Sequence, residues 1–257
     1  MSRTDLSFAF AQARLQSRFG ERPAAADWQH LEATRDLGAV LQVLRGGRLA
    51  RWTSRLATKP GLHDIERRLR EEWLHAVDEV AAWQPPAWRE GVRWMRWITY
   101  IPALQKLARG GRAPAWMRAD PVLGPIVARE PRERGPALRG TALGPLAAGF
   151  SDPPDVARAW TAHWQTLWPP GSDARVPLAR FLAILRSHRE RLLEAPAGAT
   201  SRESVQSLER RLSLLFRHHP LSAAAAAAYV GLLMIDLQRL RGLLAVRSLR
   251  DSPVAPP

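Results

Sequence analysis

At 257 residues the chain can bury a sizeable core, as one large domain or two smaller ones. It has no cysteine, which excludes disulfides, thiolate catalysis and Cys-ligated zinc and fits a reducing compartment. Its 38 basic residues against 24 acidic ones give a formal charge of +14, so nucleic acid, anionic lipid and an acidic protein all come into view as partners. Nearly all of that charge is arginine, with lysine only at Lys59 and Lys106, and it is scattered among glutamates, as in Glu66-Arg67-Arg68-Leu69-Arg70-Glu71-Glu72. No long basic block exists. Ala, Gly, Pro and Trp are also plentiful, so GC-rich codon usage explains the bias as readily as a binding surface does.

In chain order, the charged start at Met1 to Asp5 has no apolar stretch behind it, and Arg14 and Arg18 interrupt the residues after it, so no secretory signal is predicted. Gly20 to Pro23 closes a first helix. A second, leucine-rich helix runs from Trp28 to Leu44 and ends at Gly46-Gly47. After Pro60-Gly61, Ile65, Leu69, Trp73, Val77 and Val80 recur at steps of three and four, the spacing of an amphipathic helix. Pro85-Pro86 separates it from a fourth helix ending at Gly110-Gly111. Residues 112–154 are rich in proline and glycine and predict an irregular connector with short helical pieces. Helices are then expected at about 155–168, 174–194, 203–218 and 221–247. Thr200-Ser201-Arg202-Glu203 carries a capping-box signature for the third of these. The run Leu221 to Ile235, with six consecutive alanines, falls short of the ~20 strongly apolar residues of a membrane span and reads as a buried core helix. The tail 251–257 is expected to fray. With no convincing period-two alternation, the fold class is all-α.

A weak internal repeat divides these helices. Ile65-Glu66-Arg67-Arg68-Leu69 returns as Leu208-Glu209-Arg210-Arg211-Leu212, and Leu104-Gln105-Lys106-Leu107 returns in the same order as Leu237-Gln238-Arg239-Leu240. Chance likeness between amphipathic helices is the alternative. Duplication predicts two pseudo-repeated helical lobes, 1–111 and 155–250, joined by the connector 112–154; a reduced three-lobed funnel is the variant.

The segment Tyr229 to Leu244 resembles the C-terminal helix of the family that comprises the V-type ATPase d subunit and the C-type subunit of archaeal-type (A/V-type) ATPases. Asp236, Leu237, Leu240 and Arg241 match its acidic, aliphatic, Leu and Arg positions. The opening Phe8-Ala9-Phe10-Ala11-Gln12-Ala13-Arg14-Leu15 is similar to the family's aromatic-x-x-Ala-Arg start, and Ile65-Glu66 to its aliphatic-Glu pair. The chain departs from the pattern where the family's Asn falls on Arg239 and, in the first copy, on Lys106, with Ala103 at the acidic position; it is also shorter than the three-lobed members. The resemblance implies a non-catalytic subunit of an ion-translocating rotary ATPase. Such a subunit links central-stalk subunits to the membrane proteolipid ring, peripherally on the cytoplasmic face of the inner membrane. A basic helical module for nucleic acid or an acidic protein is the alternative, with nucleic acid the disfavoured ligand.

Catalytic signatures are absent: no phosphate-binding Gly-rich loop, no nucleophile elbow, no His-Glu-x-x-His and no Asp-Asp motif of a magnesium-dependent helical synthase, hence no implied cofactor or metal. His218-His219, adjacent and ~100° apart on a helix, reads as a helix C-terminal pair. Asp64 beside His63 reads as a first-turn acid. Arg45-Gly46-Gly47-Arg48 and Arg109-Gly110-Gly111-Arg112 read as glycine C-caps rather than RNA-binding elements. Glu66 and Glu209 recur in the repeat and are expected in structural ion pairs, Glu66 with Arg70 at i+4, with Asp236 and Arg241 as further candidates. Trp94 and Trp97, and Trp160, Trp164 and Trp168, form helical stripes expected to be core, with a partner interface as the alternative.

Overall fold

The computed structural model describes the backbone of residues 3–171, 173–194 and 201–251, and the side chains of 6–171, 173–192 and 203–250. The expected capping box begins outside these residues, and the tail 252–257 lies outside them. Every regular element described is helical. The first group is α1 (Arg3–Gly20), α2 (Ala25–Ala33), α3 (Leu37–Gly46), α4 (Ala50–Thr53) and α5 (Leu62–Trp83). Next come α6 (Pro86–Trp94), a 3-10 turn over Met95–Tyr100, and α7 (Ile101–Ala108). The connector holds α8 (Ala115–Ala119), α9 (Gly124–Val127) and α10 (Arg134–Arg139), with 3-10 turns at Pro131–Glu133 and Gly144–Gly149. The last group is α11 (Pro153–Thr166), α12 (Arg175–Glu194), α13 (Ser201–His218) and α14 (Ala223–Asp251).

Two expected helices are broken, each for a local reason. The helix expected over Trp28 to Leu44 splits into α2 and α3. The Asp36 carboxylate accepts from the Ala39 N–H at 2.7 Å, and the Thr34 hydroxyl donates to the His30 carbonyl. Short polar side chains thus compete for backbone groups and start a new helix. The fourth helix tightens into 3-10 geometry over Met95–Tyr100 ahead of Pro102, which lies in the first turn of α7 and cannot donate to the preceding turn. Gly110 does adopt a left-handed cap, with φ 74 and the Gly111 N–H reaching the Lys106 carbonyl at 2.9 Å. Gly47 ends α3 in an extended conformation instead.

The proline-rich connector is a packed wall rather than a loose link. Its prolines stand at helix starts, and Leu123, Ile126, Leu138, Leu143 and Leu146 are fully buried. Gly149 lets this wall close on α11, since a Cβ there would overlap the Asp155 carbonyl group.

α14 is the central element. Ala223 to Ala228 are all buried, and their small side chains let neighbouring helices approach. Gly231 continues that face: a Cβ there would meet Leu212 at 3.0 Å and Phe181 at 3.2 Å. α14 packs on α13, α12, α5 and α1. It is long and apolar enough to cross a membrane, yet 72% of its most apolar window is buried inside the fold, the core role expected from sequence. α5, from the first half of the repeat, packs directly on α14 from the second, and buried side chains of both halves form one continuous core.

Candidate functional site

The recurring carboxylates do not make equivalent contacts. Glu66, buried on α5, accepts from Arg241 of α14 at 2.5 Å, not from Arg70 one turn away. The i+4 pair fails because Arg70 turns toward aromatic faces: its guanidinium lies 4.0 Å from the Trp116 ring centroid and 5.0 Å from that of Tyr100. Such cation–π contacts substitute for a carboxylate partner. Burial lowers the Arg70 pKa, and its Nε and Nη1 have no hydrogen-bond partner. The Tyr100 hydroxyl donates to Asp120 at 3.2 Å, and burial together with that carboxylate pushes the phenol well above its ordinary value. Asp120 also accepts from the N–H groups of Val122 and Leu123 at 2.9 Å each, fixing the turn into α9.

Glu209 and Asp236 converge on a residue that no sequence motif singles out. Arg22, between α1 and α2, grips both Asp236 oxygens at 2.7 and 2.9 Å and reaches Glu209 at 2.9 Å. Only 9% of its side chain is exposed, and 4% of that of Asp236. Burial works against the Arg22 cation, but the bonds and charges of its two carboxylates hold its pKa above the ordinary value. Burial pushes Asp236 the other way, toward the neutral acid. The two-pronged geometry favours the charged pair at neutral pH. Nothing local in the sequence announces this contact, since Arg22 and Asp236 lie 214 positions apart. Beside it, Arg18 and Arg51 share Glu79, tying α1 and α4 to α5. The crevice among these groups has a volume of about 30 Å³, room for a water molecule and no substrate.

The tryptophan stripes are core. Trp94, Trp97, Trp160, Trp164 and Trp168 are all at most 8% exposed, which corrects their candidacy as a partner interface. They form the seam between α6 and α11: the Trp94 indole donates to the Trp160 carbonyl at 3.2 Å, and that of Trp164 to the Gly91 carbonyl at 2.7 Å. Trp164 also meets Trp168 and Phe181 edge to face.

The largest concavity described lies elsewhere, as a surface groove of about 480 Å³ between α12 and α13. Helical spacing builds it. On α12, Arg180, Ala183 and Ile184 share one face. On α13, Arg211, Leu214, Leu215 and His218 repeat that step, and His219 follows at the helix end. Ile184 and Leu215 are buried and form an apolar floor, while Leu214 stands 54% exposed at the lip. No aspartate or glutamate lines the groove. Arg211 donates to the Ser187 hydroxyl at 3.2 Å, and the adjacent Arg191 to that of Ser207 at 3.2 Å. Burial, Arg180 and His218 together lower the His219 pKa, so the ring is neutral at neutral pH. The sequence presents His218-His219 only as a helix end, which His218 is. The arginines opposite are invisible there because α12 and α13 read separately as ordinary amphipathic helices.

Among the described residues no group of three or more His, Cys, Asp or Glu could hold a metal ion. No family model, no curated protein and no solved structure matches the chain.

Proposed function

We propose that this chain is a non-catalytic helical protein that binds an acidic protein partner. The observation that carries this reading is the division of its charges. Glu66, Glu79, Glu209 and Asp236 are held by arginines inside the fold, whereas the α12–α13 groove presents arginine and histidine around an apolar floor without a carboxylate. A cationic surface steers and orients an acidic partner, and an aliphatic floor supplies the apolar burial that holds it. Bare phosphate backbones gain nothing from such a floor, which disfavours nucleic acid.

A rotary ATPase partner, with central-stalk subunits and the proteolipid ring at the cytoplasmic face of the inner membrane, is the narrower form of this proposal. It rests on the sequence likeness alone. Two positions that carry the likeness, Asp236 and Arg241, bind Arg22 and Glu66 inside this chain.

Affinity purification of the tagged chain from detergent-solubilised host cells, with nuclease and graded salt, tests both forms. Stoichiometric, salt-sensitive recovery of an acidic protein supports binding of an acidic partner. Recovery of stalk and proteolipid subunits selects the narrower form. Nuclease-sensitive recovery of nucleic acid alone contradicts both.

A further inference from the structure

We infer that the α12–α13 groove is the docking site for one amphipathic, acidic α-helix of a partner protein. This deepens the proposal above and rests on it. The groove lies between two packed helices, the surface on which a third helix nests by placing its ridge of side chains in the valley. A helix so placed points residues i, i+3, i+4 and i+7 at the floor. Ile184 and Leu215 are there to receive aliphatic anchors, and the exposed Leu214 completes the wall.

The charges fix the flanks of that helix. Arg180 stands on the α12 side, and Arg211 with His218 on the α13 side, so carboxylates are met on both edges of the apolar stripe. Arginine donates in pairs to carboxylates and is weakly hydrated, which suits a partly desolvated rim. A single-stranded nucleic acid needs flat aromatic platforms for its bases, and no Trp, Tyr or Phe lines the groove. A membrane surface is met by a convex or flat face, and this one is concave.

Titration by fluorescence anisotropy tests the inference with the full chain. The probe is a labelled synthetic helix with leucines at i, i+3, i+4 and i+7 and glutamates on both flanks; its scrambled isomer is the control. The groove variants are Arg180→Glu/Arg211→Glu, which reverses the rim, and Leu214→Ser, which leaves every charge in place. The exposed pair Arg109→Glu/Arg112→Glu makes the same charge change elsewhere. Circular dichroism confirms that each variant is folded. The wild-type chain is expected to bind the amphipathic peptide at least about tenfold more tightly than the scrambled one. The rim reversal should weaken binding at least about tenfold and the distant reversal by no more than about twofold. Leu214→Ser should weaken it severalfold. Equal binding of the scrambled peptide, or equal damage from the distant reversal, overturns the groove and leaves general binding of acidic partners standing. No binding of either peptide at low salt overturns both.

Discussion

Arginine plays opposite parts in two regions of this molecule. Around α14 it is a fastener: Arg22 joins the α1–α2 corner to α13 and α14, Arg241 joins α14 to α5, and Arg247 reaches the carbonyls of Leu31 and Thr34 at the end of α2. Each is answered by carboxylates or by the oxygen-rich end of a helix. Along the α12–α13 groove, Arg180 and Arg211 face Leu214, Leu215 and Ile184 with no acid among them. The same residue type, at the same helical spacing, is structural where its partner lies in the chain and available where it does not. Net charge alone does not separate the two; the placement of the acids does.

The sharpest way to break this contrast is to remove a fastener. Arg22→Met leaves Asp236 buried without its counter-charge and should cost about 3–5 kcal/mol in denaturant unfolding, whereas Arg22→Met/Asp236→Leu should recover most of that loss. A full loss in the double variant would mean that shape, not charge, is what Arg22 supplies. Next in size, Trp164→Phe removes the indole donor to the Gly91 carbonyl and part of the α6–α11 seam, with an expected loss of about 1–3 kcal/mol in the same assay. Glu66→Gln should cost only about 1 kcal/mol, because Arg241 is half exposed and water replaces the lost charge contact.

Acidification sharpens the contrast by moving the two properties in opposite directions. Burial lowers the pKa of His163, His188 and His219, so the folded chain binds their protons less readily than the unfolded one. Their contribution to stability is therefore full above about pH 6.5 and declines as pH falls below it. Over that window His219, facing Arg180 and His218, gains charge, and binding of an acidic ligand in the groove should strengthen. Thermal melts and peptide titrations at pH 7.5 and 5.5 read the two trends; parallel trends would place the histidines outside the groove's function. Smallest of all, Arg180→Glu/Arg211→Glu should change stability by no more than about 0.5 kcal/mol, as expected where no buried partner is lost.

Much of the helical scaffold could be read from apolar spacing. Ile65, Leu69, Trp73, Val77 and Val80 lie on one buried face of α5 as their period requires, and the tryptophan stripes are core. The break at Thr34 to Asp36 was readable in principle, since both residue types compete for backbone hydrogen bonds, but leucine periodicity on either side masked it. The connector misled in the other direction. Its prolines correctly forbid long helices, yet Leu123, Ile126, Leu138 and Leu143 fill the core between them, and short helices give no period to detect. The ion pairs were readable only as residue types. Glu66 met Arg241 rather than Arg70 because the choice among many arginines is made by tertiary packing, which no i+4 rule contains. The groove was hidden for the same reason, being made by two helices side by side.

The division of arginines into fasteners and a docking face is tested most directly by measuring two properties on two variants: unfolding midpoint and affinity for the acidic amphipathic peptide, in Arg22→Met and in Arg180→Glu/Arg211→Glu. The expected result is a crossover. Arg22→Met loses stability while its folded fraction binds as the wild type does, and the groove variant keeps its unfolding midpoint while losing affinity. If the groove variant unfolds as readily as Arg22→Met, or if both bind the peptide alike, the two sets of arginines are not distinct and the assignment of the α12–α13 face is wrong.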